Sequence, residues 1–192
     1  MSRRSLLPVR FFSSLLIVCA LIFSLQACIG GRSVPAQYQL LTARAEKNTA
    51  APLAGKSIGI GPVQVAQFLQ RPQIVTHGGG TQLDVEENSR WGEPLEQGIQ
   101  RVLLQNIAAL TGAETRNFPW RQNATPDYAL RIDIIDLDKL SNGESTLEAN
   151  WILEDLKNAR VIKTQQERIN SRSDYDDLFA QLARHIVDAL SK

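Results

Sequence analysis

Apolar residues recur along this chain with two different periods, and the switches between them mark the elements. The clearest helical stripe is Leu95, Ile99, Val102, Leu103, Ile107 and Leu110, which recur at helical spacing and form one apolar face. Pro94 suits the first turn of that helix, where an N–H would lack an intrahelical acceptor. Glu93 and Glu96 lie near the positive end of the dipole, and Gly112 is a natural stop. A second stripe of Leu178, Leu182, Ile186 and Leu190, with Phe179 alongside, predicts a final helix capped by Ser173 with Asp176 three residues on.

Alternation with a period of two predicts strands elsewhere. Tyr128 to Ile134 turns Leu130, Ile132 and Ile134 to one side, and Ile135 and Leu137 break the phase as a bulge would. Ser145 to Glu154 and Arg160 to Arg168 flank a turn at Asp155 to Ala159 and form a meander. Upstream, Tyr38 to Leu41 is a short strand. Ser57 to Val65 is another, which Pro62 should kink or place at an edge. Gln73 to His77 and Thr81 to Glu86 form a hairpin around three glycines, and Glu114 to Phe118 adds a short strand. Thr42 to Gly55 and Pro119 to Pro126, the latter carrying Trp120, read as loops. The fold class is α/β (α+β): a single domain with a mixed sheet of five to eight short strands and two main amphipathic helices.

The first residues follow neither period. Arg3, Arg4 and Arg10 precede an almost unbroken apolar run from Phe11 to Leu25, and Leu25-Gln26-Ala27-Cys28 follows. A charged start, an apolar run of about fifteen residues and a small residue before the cut describe an export signal, since a helix needs about twenty residues to span a bilayer. Leu25, Ala27 and Cys28 resemble the lipobox of bacterial lipoproteins, which implies cleavage before Cys28 and acylation of its sulfur and new amino group. Two or three chains at about 0.8 kcal/mol per CH₂ give stable membrane anchoring where one chain is marginal. An ordinary secretory cut, with Cys28 a free thiol, is the alternative. The expected division is a signal peptide over 1–27, a lipidated tether over 28–37 rich in Gly and Pro, and a folded domain over 38–192.

The whole chain carries 21 basic and 20 acidic residues; losing Arg3, Arg4 and Arg10 with the signal leaves a net charge of about −2. That balance does not suit a nucleic-acid partner. Cys19 would leave with the signal, so a mature chain starting at Cys28 has no second cysteine for a disulfide or a thiolate metal site.

Candidate chemistry is sparse. Only His77 and His185 are present, and no nucleophile elbow, zinc-protease motif or phosphate loop occurs. His77 reads as a surface turn residue and His185 as a partly buried side chain with one hydrogen bond. Asp133, Asp136 and Asp138 read as a solvated strand face, and Asp174, Asp176 and Asp177 as charges answering a helix N-terminus. No catalytic group, metal site or cofactor is expected. Two segments stand out instead, 68–75 and 87–95. They combine Arg71 and Pro72, and Arg90, Trp91, Glu93 and Pro94, with large apolar groups near loops, the residue types enriched where proteins meet. The alternative is that Trp91 packs under the helix start while Arg90 and Glu93 pair at the surface.

Tyr38-Gln39-Leu40-Leu41 after the lipobox, Ile58-Gly59-Ile60-Gly61-Pro62-Val63, Arg71-Pro72-Gln73-Ile74-Val75, Arg90-Trp91-Gly92-Glu93-Pro94-Leu95 and a final helix opening at Tyr175 together resemble the ABC-type transport auxiliary lipoproteins of the PqiC-like kind. Gly92 stands where that pattern would have alanine. The resemblance implies an outer-membrane lipoprotein facing the periplasm, with Ile29 after the cysteine consistent with outer-membrane sorting. It further implies a non-catalytic part in lipid transport with a mammalian-cell-entry (MCE) domain protein and inner-membrane transport components. The Arg71 and Trp91 loops would meet that partner or a second copy of the chain. A regulator of another envelope machine, such as a cell-wall synthase activator or secretion component, and an unrecognised hydrolase are the competing readings.

Overall fold

A computed structural model of the chain describes residues 34–79, 82–140 and 142–190; Cys28, the signal segment and most of the tether lie outside the described residues. Eight strands and two main helices occur among the described residues, an α+β architecture, but the strands divide into two mixed sheets. The larger sheet contains β2 (Ser57–Val65), β5 (Glu114–Asn117), β6 (Tyr128–Lys139), β7 (Ser145–Asp155) and β8 (Arg160–Ser171), in the order β5-β2-β6-β7-β8. β5, β2 and β6 run parallel, and β6, β7 and β8 form the antiparallel meander. The smaller sheet has the order β1-β4-β3: a hairpin of β3 (Gln73–Gly79) and β4 (Gln82–Trp91), with β1 (Gln37–Gln39) laid parallel along the end of β4.

Helices α1 (Leu95–Thr111) and α2 (Tyr175–Leu190) lie side by side, α1 against β2 and β5 and α2 against β7 and β8. Their apolar stripes explain this. Leu95, Ile99, Val102, Leu103 and Ile107 of α1, and Leu178, Phe179, Leu182 and Ile186 of α2, are buried against Leu130, Ile132, Ile134, Leu147, Trp151 and Leu153. Burying such side chains at about 1.5–3 kcal/mol each makes this layer the main source of cohesion. Gly112 closes α1 in the left-handed region, at φ 69°, its N–H bonded to the Ala108 carbonyl.

Several expectations need correction. β2 is not an edge strand: it lies between β5 and β6, and Pro62 is accommodated where the register with β6 shifts between Ile60 and Val63. The missing N–H therefore falls in a bulge. The expected bulge in β6 is present, between Ile134 and Asp136, leaving Ile135 41% exposed and Leu137 buried. The cap of α2 is Asp174, whose carboxylate accepts the Asp177 N–H at 3.4 Å; Ser173 instead offers its carbonyl to the Ser145 hydroxyl. Asp176 serves neither purpose. It accepts the backbone N–H of Thr42 at 2.9 Å, the Thr42 hydroxyl, and Arg44 Nε at 3.4 Å, tying the chain after β1 to α2.

Asn106 holds the next part of that loop. It is fully buried on α1, and its Oδ1 accepts the backbone N–H groups of Arg44 at 3.0 Å and Ala45 at 2.9 Å. An apolar side chain there would leave two donors without an acceptor.

Candidate functional site

The two segments singled out above meet. The Trp91 N–H donates to the Pro72 carbonyl at 2.7 Å, so the exit of β4 and the entry to β3 are joined backbone to backbone. A cleft of about 380 Å³ opens there, lined by Leu69, Arg71 and Pro72 on one side and Trp91, Glu93 and Pro94 on the other. Arg71 and Pro72 are exposed. Trp91 is only 8% exposed and stacks against Tyr175 at the start of α2, ring centroids 5.4 Å apart. It is therefore a fixed, mostly buried floor held between β4 and the start of α2.

The Arg90–Glu93 pair of the alternative reading does not form. Glu93 Oε1 instead accepts Arg101 Nη2 at 2.5 Å and Nε at 3.2 Å, and the same guanidinium donates to the Leu41 carbonyl at 2.8 Å. One arginine on α1 thus fixes both the strap after β1 and the loop before the helix. The Pro94 carbonyl begins the ladder of α1, accepting from Gln97 at 2.9 Å and Gly98 at 3.1 Å, so the proline stands at the helix boundary, one residue outside its first turn. Arg90 has a buried Nε without a hydrogen-bond acceptor and does not line the cleft. Of the six residues, Arg71, Pro72, Trp91, Glu93 and Pro94 come together.

On the other side of Trp91 a smaller cleft of about 270 Å³ is bounded by Gln39, Leu40, Leu41 and the first residues of α2. Gly92 lies beneath Leu40: its N–H donates to the Gln39 carbonyl at 2.8 Å, and a Cβ at this position would come within 2.9 Å of Leu40 Cδ2. A third cleft, about 580 Å³, runs across β6, β7 and β8 past Arg131, Asp133, Asn150 and Gln166, away from both segments.

His77 is not a turn residue. It lies within β3, half-buried, with its N–H donating to Asp138 Oδ1 at 2.9 Å and its Nδ1 3.3 Å from Asp138 Oδ2 and 3.8 Å from Asp136 Oδ1. Asp138 is 3% exposed and Asp136 half-buried, so these two are not a solvated face; Asp133 alone of the three is exposed. The β6 bulge is the reason, because the phase change after Ile134 turns the later residues toward the small sheet. Burial pushes the Asp136 carboxyl above its usual range, against the opposing pull of His77. Burial also raises the Tyr175 phenol, with Asp138 and Glu86 adding to the shift. His77, Asp136 and Asp138 link the sheets and line none of the three clefts described, whereas Tyr175 lines the smallest. His185 is exposed, and its Nδ1 lies 2.8 Å from Glu167 Oε2, whose other oxygen accepts Trp151 Nε1–H at 2.8 Å.

Sequence reasoning missed Leu40 and Tyr175 as parts of this region. Their apolar character was visible, but only the pairing of β1 with β4 and the docking of α2 places them around Trp91.

No curated protein matches the chain. Among solved structures it is similar to protein XCC0632 from Xanthomonas campestris, at 16% identity and a TM-score of 0.65, over 79% of this chain and 92% of that one. A crystal structure described as an uncharacterized protein is similar at 17% identity and a TM-score of 0.65, over 82% of this chain and 99% of that one. At these identities the likeness concerns the fold. A family model described as an ABC-type transport auxiliary lipoprotein component matches residues 38–192, which include every strand from β2 onward, both helices and all the residues of the Arg71–Trp91 cleft, and the chain belongs to that family.

Proposed function

We propose that this chain is an outer-membrane-anchored periplasmic lipoprotein acting as a non-catalytic docking component of an MCE-type intermembrane lipid transport system. In this reading residues 1–27 are removed, acyl chains on Cys28 hold the protein at the bilayer, residues 28–37 are the tether, and 38–192 is the domain that meets the partner. The observation that carries the docking role is the cleft itself: Arg71 and Pro72 face Glu93 and Pro94 across the buried ring of Trp91. Rigid proline walls and a fixed aromatic floor suit recognition, because little side-chain freedom is lost on binding. Arg71 at the exposed rim supplies the cation for a partner carboxylate. Support for a non-catalytic role comes from Asp138 beside His77 and Glu167 beside His185, each of which accepts a hydrogen bond that joins neighbouring elements.

The direct test is co-purification from the native envelope. An MCE-domain protein should be enriched with the wild-type chain and reduced about tenfold with Arg71→Glu, the effect of losing about 1.4 kcal/mol of binding. Absence of enrichment over an unrelated lipoprotein would overturn the reading, and capture of a cell-wall synthase or secretion component would replace it. Separately, Cys28→Ala should release the protein from the outer-membrane fraction.

A further inference from the structure

We infer that Tyr38 and Leu40 form a second membrane contact, by which the folded domain rests on the lipid surface at the root of its tether. The inference builds on the proposed acylation of Cys28. Tyr38 is 68% exposed and Leu40 59% exposed, whereas Leu41, the next residue, is 3% exposed and belongs to the core. These are large apolar side chains left in solvent immediately before the chain enters the fold. They occur on and just after β1, a three-residue edge strand paired with Ser89, Arg90 and Trp91 of β4.

The length of chain identifies the occupant. Tyr38 is ten steps along the chain from Cys28, and a fully extended chain spans at most about 3.6 Å per step, so the backbone of Tyr38 can be no more than about 36 Å from that of the acylated cysteine. A side chain confined to that distance meets the bilayer at high effective concentration, and a weak contact is enough to orient the domain. The chemistry agrees. A tyrosine ring, apolar with a polar tip, suits the water–lipid boundary, and a leucine suits the acyl region beneath it. Charge agrees as well. From Cys28 to Thr42 the only charged residue is Arg32, and no acid occurs before Glu46, in a mature chain whose net charge is about −2. The segment itself thus brings no acid to the headgroups, and Asp174 and Asp176, which line the cleft beside Leu40, are paired with Arg44. Arg44 does not contribute, being held by Asp174 at 2.7 Å and by Asp176.

The test uses the full lipidated protein in vesicles of phosphatidylethanolamine and phosphatidylglycerol containing spin-labelled acyl chains. With Cys28 blocked by lipid, Leu40→Cys carries a single environment-sensitive fluorophore, and Val161→Cys, 55% exposed on edge strand β8, serves as the control position. The expected result is flotation of both proteins with the vesicles, with quenching at position 40 about threefold greater than at position 161, as for a group seated about 5–10 Å into the headgroup boundary. Adding Tyr38→Ser should lower the quenching at position 40 without affecting flotation. Flotation with equal quenching at both positions would overturn the contact and leave the anchor standing. Shielding of position 40 from an aqueous quencher without lipid quenching would overturn it in favour of a second copy or a partner chain. Failure to float would remove the anchor and this contact together.

Discussion

Acid should loosen this fold through Asp127. The residue immediately precedes β6, and one of its carboxylate oxygens accepts the Ser57 N–H at 2.8 Å and the Ser57 hydroxyl at 3.0 Å, while the other lies 2.5 Å from Lys157 Nζ in the β7–β8 turn. The carboxylate therefore joins the start of β2, the start of β6 and the end of the meander. These donors, Lys157 foremost and then Ser57, hold its pKa at about 2, below the ordinary 3.8. A depressed folded pKa gives stability that is complete above the unfolded value and is lost as pH falls from about 4 through about 2. A difference of about two units would correspond to about 2.5 kcal/mol, but the Lys157 side chain is 68% exposed and solvent screens that part, leaving about 1–1.5 kcal/mol. Asp155 is shifted in the same direction and Asp136 in the opposite one, so the wild-type curve alone cannot isolate the effect. The measurement is urea unfolding of wild type and Asp127→Asn at about pH 7 and about pH 3. The variant should be about 1–1.5 kcal/mol less stable near neutrality, with the gap roughly halved at about pH 3, where the folded carboxyl is still ionised and the unfolded one mostly protonated. An equal gap at both pH values would refute the reasoning, since the loss would then be one of packing and not of charge.

Asn106→Leu should cost about 1–3 kcal/mol by orphaning the N–H groups of Arg44 and Ala45, and hydrogen exchange should quicken at those two amides first. Two glycines should respond oppositely to alanine. At Gly59 a Cβ would come within 2.6 Å of both Trp120 and Pro126, side chains packed over β2, and thermal melts should show a loss of about 1–3 kcal/mol. At Gly92 the obstacle is the exposed tip of Leu40, which can swing aside, so Gly92→Ala should change stability by less than about 0.5 kcal/mol in the same assay. Trp151→Phe should cost about 1–3 kcal/mol, seen as a lower urea midpoint, because it removes the indole donor from Glu167.

What the sequence determined by itself is local. The stripes of α1 and α2, the Gly112 stop and the phase break in β6 were all legible, because each is written into residues close enough in the chain to show a period. Segments 68–75 and 87–95 were legible as candidates for the same reason, by composition. Tertiary structure decided the partners. It separated the strands into two sheets, enclosed β2, gave Glu93 to Arg101 in place of Arg90, and withdrew Asp138 from solvent to hold His77. It also joined Trp91 to Pro72, turning two loops into one cleft. A period reports which side of an element is apolar. It is silent on which distant element will cover that side or satisfy a given carboxylate, because strand register and helix docking are settled only when the whole chain closes on itself.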